Sequence, residues 1–424
     1  MKTSDYQPAL AWAVILTAAL FFFYQFIQLN LFNAMNTPLM SAFDLNAAEL
    51  GQLAAMYFYA NALFLFPAGL LLDRFSTRKL LLWALVVSII GTFLFAGAKQ
   101  YYSAAIGRFL VGAAASFCFL ACVRLASRWF PARKMALVTG VVVTMAMLGG
   151  LVAQTPLALL TNWVGWRKAV FLDGLLGIVI TFAVFAVVKD RPSYLQTDLH
   201  HEKAHLKSLG FLASIKLVLL NPQNWLNGLY TSFMNLPTFL LGALWGIHYL
   251  VQVHHVSAVQ ASYATTLFFI GAILGSPAFG WLSDHIERRV IPMLIGAIVS
   301  LGIVLILIYV PSLSLSELII LFFFIGFTTS SQVLSYPTVA ELNPPALTST
   351  AVSVDSITIM CSGAIFQPFF GWLIDLNWQG KIINNTPVYS PHDFFYAMMI
   401  MPIAFVLSLI IALLIKETYC KPQV

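Results

Sequence analysis

The chain has 424 residues, 60% hydrophobic and only 9% charged, with a formal charge of +6. Soluble domains carry about 25% charged residues, so these proportions exclude a soluble globular protein and point to a chain solvated by lipid. The basic excess is explained by membrane topology below, which removes nucleic acid as a partner.

Apolar runs of about 20 residues cross a hydrocarbon core of roughly 30 Å. Twelve are expected, at 10–33, 47–72, 78–98, 101–127, 134–158, 166–188, 223–251, 260–282, 290–310, 315–340, 346–374 and 393–416. They must be helices, because lipid offers unpaired backbone groups no partner. The first run lacks a small-residue cleavage site and is expected to stay as a span. Basic residues orient the chain. With the N-terminus in the cytoplasm, cytoplasmic segments collect most of the 22 Lys and Arg, and the outside keeps Lys99, Arg167, Lys168 and Lys381. Both termini are then cytoplasmic.

The one long polar stretch, 189–222, joins a half at 1–188 to a half at 223–424. It is expected to be a cytoplasmic linker with a surface amphipathic piece. His200, His201 and His205 leave a metal or pH sensor as the alternative. Cys118, Cys122, Cys361 and Cys420 have no metal-ligand or disulfide pattern. No nucleotide-binding loop is present, and no nucleophile stands with a base. Neither a cofactor nor enzymatic activity is expected.

One short sequence occurs twice, half a chain apart. Gly69-Leu-Leu-Leu-Asp73-Arg74-Phe-Ser-Thr-Arg78-Lys79 follows the second run, and Gly280-Trp-Leu-Ser-Asp284-His-Ile-Glu-Arg288-Arg289 follows the eighth. Two membrane halves with matching hairpins are the layout of a transporter built from repeats. Asp73, Arg74, Arg78, Asp284 and Arg288 are the candidate latch residues, the carboxylates pairing with bases or with helix N-termini.

Charges inside spans are costly and mark function. Arg108 and Arg124 lie in the fourth run, about 160° apart on a straight helix. Arg108 can bind helix carbonyls or Asp173. Arg124 can snorkel to headgroups, or take a carboxylate from a solute or from Asp355. A buried carboxyl favours its neutral form, which makes Asp355 a candidate proton carrier. Uncharged polar groups suit a hydrogen-bonding solute: Tyr24, Gln25, Gln28 and Asn36 on one face of the first run, Gln154 in the fifth, Asn227, Tyr230 and Asn235 before Pro237 in the seventh, and Gln332 and Tyr336 in the tenth. Interhelical polar packing is the alternative for each.

The two hairpins resemble the loop signature of the major facilitator superfamily. Gly107-Arg108-Phe109-Leu110-Val111-Gly112 resembles its Arg-x-x-x-Gly motif, Arg128-Trp129-Phe130-Pro131 ends the fourth run, and Ala340-Glu341-Leu342-Asn343-Pro344-Pro345 ends the tenth. The resemblance covers essentially the whole chain. It implies an all-α integral membrane fold of twelve helices in two pseudo-symmetric six-helix bundles that rock around a central site. It also implies a coupling role for Arg108, a loop salt bridge for Glu341 and a bacterial inner-membrane location. The segment Gly140 to Gly150 lacks the Gly-Pro pair of drug/proton antiporters, with Pro156 only later, which argues against multidrug export. The chain looks most like bacterial organic-anion or nutrient porters, and more distantly like lysosomal dipeptide transporters. The expected function is alternating-access transport of a small polar, carboxylate-bearing solute, with protons as a candidate second partner and a single chain sufficing. The alternatives are a facilitative uniporter, a drug or metabolite exporter, and a non-transporting sensor.

Overall fold

In a computed structural model the described residues are 8–130, 134–191, 211–310, 312–344, 348–383, 386–421 and 423. Among them, twelve helices are long and apolar enough to cross a membrane. Spans 1 to 6 are Pro8–Phe43, Ala47–Leu72, Thr77–Gly97, Tyr101–Trp129, Leu137–Val164 and Trp166–Val187. Spans 7 to 12 are Pro222–His254, Ala258–His285, Val290–Tyr309, Leu315–Glu341, Thr350–Asp375 and Pro391–Leu414. The span ends that carry the hairpins at 73–78 and 284–289 are called here the hairpin ends, and those that carry the loops at 44–46 and 255–257 the far ends. His200, His201, His205, Pro131 and Pro345 lie outside the described residues, as does the side chain of Asp73.

Local chemistry sets where the helices begin. Spans 8, 10 and 12 open on capping boxes, Ser257 with Gln260, Ser314 with Glu317, and Ser390 with Asp393. In each, two orphan backbone donors are satisfied reciprocally. Span 2 opens on a matching reciprocal pair, the Asn46 amide donating to Glu49 at 3.0 Å and the Glu49 amide to Asn46 Oδ1 at 2.8 Å. The amides between them, on Ala47 and Ala48, donate to Asp375 at 3.2 and 2.7 Å, and Tyr389 donates to the same carboxylate at 2.9 Å.

Several spans are interrupted. Span 4 breaks between Ala115 and Cys118, where the Ser116 hydroxyl bonds the Ala113 carbonyl at 2.7 Å. Such a hydroxyl competes with the helix ladder for its own backbone. The break overturns the straight-helix projection of Arg108 against Arg124. Span 5 turns at Ala153 and Gln154. Span 7 passes through a π-helix, Thr238–Trp245, and span 10 through a 3₁₀ turn, Ser330–Leu334. Span 1 runs past its expected end at residue 33, through Pro38 to Phe43.

The chain forms two compact units. The first comprises Met1–Leu29, Met56–Gly150 and Val164–Phe211; the second comprises Asn30–Ala55, Leu151–Trp163 and Leu212–Val424. Compactness thus does not follow the sequence halves: the far-end parts of spans 1, 2 and 5 belong with spans 7 to 12. The first unit has an apolar core of small and branched residues, including Ala18, Leu85, Ala121, Leu125, Val142 and Val184.

The Arg-x-x-x-Gly motif has a packing reason in this core. A Cβ on Gly112 would lie 2.1 Å from the Tyr57 carbonyl oxygen, so spans 2 and 4 touch backbone to backbone there. Gly140, also helical, has nothing within 4 Å of that position. We expect Gly112→Ala to destabilise the protein by about 1–3 kcal/mol and Gly140→Ala to stabilise it by about 0.5–1 kcal/mol. Thermal unfolding followed by tryptophan fluorescence checks the opposite signs.

Candidate functional site

The first unit holds a buried polar network among spans 1, 3, 4 and 6. Gln28 Nε2 donates to Tyr24 Oη at 3.1 Å, to Thr92 Oγ1 at 2.9 Å and to the Asp173 carboxylate. Tyr24 also meets Thr92 at 3.1 Å, and Gln25 Nε2 donates to Ser88 Oγ at 2.9 Å. Arg108 Nη1 donates to the Gln28 carbonyl at 2.8 Å, and its guanidinium sits 5.3 Å from the Tyr57 ring centroid. Arg108 is also within Coulombic reach of Asp173. Tyr24, Gln25 and Gln28 were grouped as solute ligands because they share a helix face. That face meets spans 3 and 6, and their donors bind those spans to span 1. Arg124 stands on the other side of the span 4 break, partly exposed.

The second unit differs in what it leaves open. Tyr230 Oη donates to the Met293 carbonyl at 2.8 Å and meets Ser331 at 2.9 Å. Gln332 Nε2 donates to Asn235 Oδ1 at 3.1 Å. Asn227 Nδ2 turns back to the Gln223 carbonyl at 2.9 Å. Among the described residues, Asn227 Oδ1, Gln332 Oε1 and both carboxylate oxygens of Asp355 have no hydrogen-bond partner, and all four atoms are buried. Asp355 is fully buried on span 11. Its Oδ1 would lie 3.4 Å from a Cβ on Gly228 of span 7, and it is within Coulombic reach of Tyr336 on span 10. A buried polar atom without a partner costs about 1–3 kcal/mol. These four acceptors lie on three adjoining spans, and the described residues supply no donor to any of them.

Gln154 is not open in this way. Its Nε2 donates to the Gly242 carbonyl at 3.0 Å and its Oε1 accepts from Asn33 at 2.8 Å. It holds span 5 to span 7.

The second hairpin is a charged node. Arg289 pairs with Glu341 through Nη2 at 2.7 Å and Nε at 3.3 Å, and with Asp284 through Nη1 at 2.7 Å. Burial disfavours the Arg289 charge, but the hydrogen bonds it donates to Glu341 and Asp284 outweigh that and hold the guanidinium proton more tightly than usual. Arg288, expected as the latch base, lies instead over the Tyr419 ring at 4.5 Å. Its place is taken by Arg289 because residues 286–288 form the turn, leaving 289 at the start of span 9 beside the end of span 10.

Two acids that the sequence reading passed over sit at helix N-termini. Glu417 accepts from the Arg289 and Val290 amides at 2.7 and 3.1 Å, at the start of span 9. Asp190 accepts from the Arg78 amide at 2.8 Å and from the Ser76 hydroxyl, at the start of span 3. At the two described helix starts these acids accept the first amides, and the carboxylate of Asp284 pairs with Arg289. The signal was present as a repeat: Lys189-Asp190 and Lys416-Glu417 each follow the last span of a half. Arg78 also donates to the Phe185 carbonyl at 2.5 Å, while Arg74 is exposed.

Residues 16–245 and 228–421 each match the family profile described as Major Facilitator Superfamily, and the chain belongs to that family. It is 23% identical over 288 residues to a probable hexose phosphate transport protein of Chlamydia pneumoniae, covering 63% of each chain. It is 26% identical over 298 residues to the probable galactarate/D-glucarate transporter GudP of Escherichia coli (strain K12), covering 61% of this chain and 64% of that one. Both matches span less than two thirds of the relative's length. It superposes on a bacterial homologue of the human lysosomal transporter Spinster, inward-facing and unoccupied, with a TM-score of 0.78, 16% identity, and 96% of this chain and 98% of that one covered. The protein is an integral, multi-pass membrane protein with the twelve-span fold of its family.

The two acids around Arg289 should contribute unequally. Glu341 is 13% exposed and Asp284 is 69% exposed. Removing one partner of a buried pair costs about 3–5 kcal/mol, whereas an exposed pair is worth about 0–1 kcal/mol. Glu341→Ala should therefore lower the unfolding temperature by several degrees and Asp284→Ala by much less, measured on detergent-purified protein.

Proposed function

We propose that the protein is a secondary transporter that moves a small hydroxylated organic anion, a sugar phosphate or sugar acid, across the membrane by alternating access. The observation that carries this reading is the set of unpartnered acceptors on spans 7, 10 and 11. Asn227 Oδ1, Gln332 Oε1 and Asp355 all require donors, and the hydroxyl groups of a polyol are donors. Both relatives named above are described as probable transporters of hydroxylated anions, hexose phosphate in one and galactarate/D-glucarate in the other. Arg124 of span 4 is the proposed partner of the anionic group, because a guanidinium fork suits carboxylate and phosphate alike.

The hairpins at Asp73 and Asp284 are the proposed latches of the hairpin end, with Arg289, Glu341, Asp190 and Glu417 completing them. The two bundles are taken as 1–188 and 223–424, joined by 189–222. Hairpins and termini face the cytoplasm of a bacterial inner membrane, as the basic residues favour, and a single chain does the work.

Asp355 is the proposed proton carrier. An ionised carboxylate buried without donors is costly, and the protonated acid is not. Proton release then accompanies arrival of a donor or water at the site. Two expected outcomes test this. Purified protein in vesicles should accumulate labelled hexose phosphates or hexarates when a pH gradient is imposed, and amino acids or dipeptides should not compete. Asp355→Asn should keep exchange of solute across the membrane but lose at least tenfold of the gradient-driven accumulation. Accumulation that survives in Asp355→Asn removes the carrier role; uptake of none of these anions removes the solute class.

A further inference from the structure

The π-helix of span 7 carries an unusual set of contacts, all within the second unit. Four of its carbonyls accept hydrogen bonds from carboxamides on other spans. Gln367 of span 11 donates to Phe239 O at 2.9 Å. Asn33 of span 1 donates to Leu241 O and Gly242 O, each at 3.0 Å. Gln154 of span 5 donates to Gly242 O at 3.0 Å, and Asn36 of span 1 donates to Leu244 O at 3.0 Å.

Asn33 does more than accompany the others. Its Oδ1 accepts from the Ile247 amide at 2.9 Å while its Nδ2 donates to Gly242 O. Residues 242 and 247 are one π-turn apart. The side chain of span 1 is therefore inserted between an amide and a carbonyl of span 7 that would otherwise face each other in the helix ladder. A side chain inserted in this way is a recognised cause of helix distortion, and isolated π segments concentrate at functional sites. Gly246 completes the arrangement: its amide donates to Leu241 O, and a Cβ at 246 would lie 2.0 Å from that oxygen. The wide turn needs glycine there.

We propose that Asn33, backed by Gln154, is the latch of the far end: it holds spans 1 and 5 against span 7 and keeps 238–245 in the π form. When the far ends part, Asn33 withdraws and the ladder of span 7 recloses as α-helix. Lipid and a closed core allow no other partner for the freed groups, so separation of the spans and the change of helix form occur together. The far end then has two discrete states rather than a continuum. Asn33, Gln154, Asn36 and Gln367 act as positioning residues, because each acts through the backbone of span 7. The inference rests on the alternating-access reading for its purpose, but its geometry and its test do not.

The test is hydrogen–deuterium exchange of the full chain in lipid nanodiscs, with no solute added. Asn33→Leu keeps the size of the side chain and removes its hydrogen bonds; Gly246→Ala disfavours the π-turn without touching span 1. Both variants should speed exchange in 30–55 about tenfold, the size of effect that losing one or two hydrogen bonds gives. Segment 238–250 should stay as protected as in the parent, because its ladder has reclosed. Unchanged exchange in 30–55 in both variants overturns the latch. So does loss of protection in 238–250, which makes Asn33 a prop for span 7 and nothing more. Faster exchange spread equally over spans 3 and 9 also overturns it, as general unfolding. A chain that fails to transport any anion yet shows the predicted exchange pattern keeps the latch and loses the proposed function.

Discussion

Every backbone amide and carbonyl of a membrane-embedded chain needs a partner inside the protein. That requirement explains both the regular and the irregular parts of this structure. Long apolar runs satisfy it by being helices. Where a span departs from the α-helix, a side chain takes over: Ser116 at the break in span 4, and Asn33, Gln154, Asn36 and Gln367 at the π-helix of span 7. At the far end, Asp375 does the same for the Ala47 and Ala48 amides at the start of span 2, and at the hairpin end Asp190 and Glu417 do it for spans 3 and 9.

Against that background, the polar atoms left without partners stand out. In the first unit, Gln28 donates to Tyr24, to Thr92 and to the buried carboxylate of Asp173. In the second, among the described residues, both carboxylate oxygens of Asp355 have no hydrogen-bond partner. Satisfied hydrogen bonds hold a fold, and unmet acceptors are where the donors of a solute can bind. The charged node at Arg289 belongs to the first kind of role, since the guanidinium has both acids and Ser283 around it.

The sequence made the spans legible because lipid leaves one choice of secondary structure for a long apolar run. The hairpins were legible because they recur. Interruptions within spans were not legible: Ser116 and Asn33 look like ordinary polar residues in helices until their backbone partners are seen. A shared helix face, on which Tyr24, Gln25 and Gln28 were expected, does not say which neighbour the face meets; here it meets spans 3 and 6. Gln154 was picked for its polarity, and its partner turned out to be a carbonyl of span 7. Asp190 and Glu417 could have been found as a repeated Lys-acid pair; Arg289 could not, because only the turn at 286–288 decides which of two adjacent arginines reaches Glu341.

The central claim is that one solute site is exposed alternately to the two sides of the membrane. Counterflow tests it most directly. Vesicles loaded with unlabelled hexose phosphate or hexarate, placed in a trace of the labelled anion with no pH gradient, should take up label transiently above equilibrium, because unlabelled anion inside competes with the label for the inward-facing site and slows its exit. Label that enters only to equilibrium, at a rate independent of what the vesicles contain, contradicts alternating access at a single site.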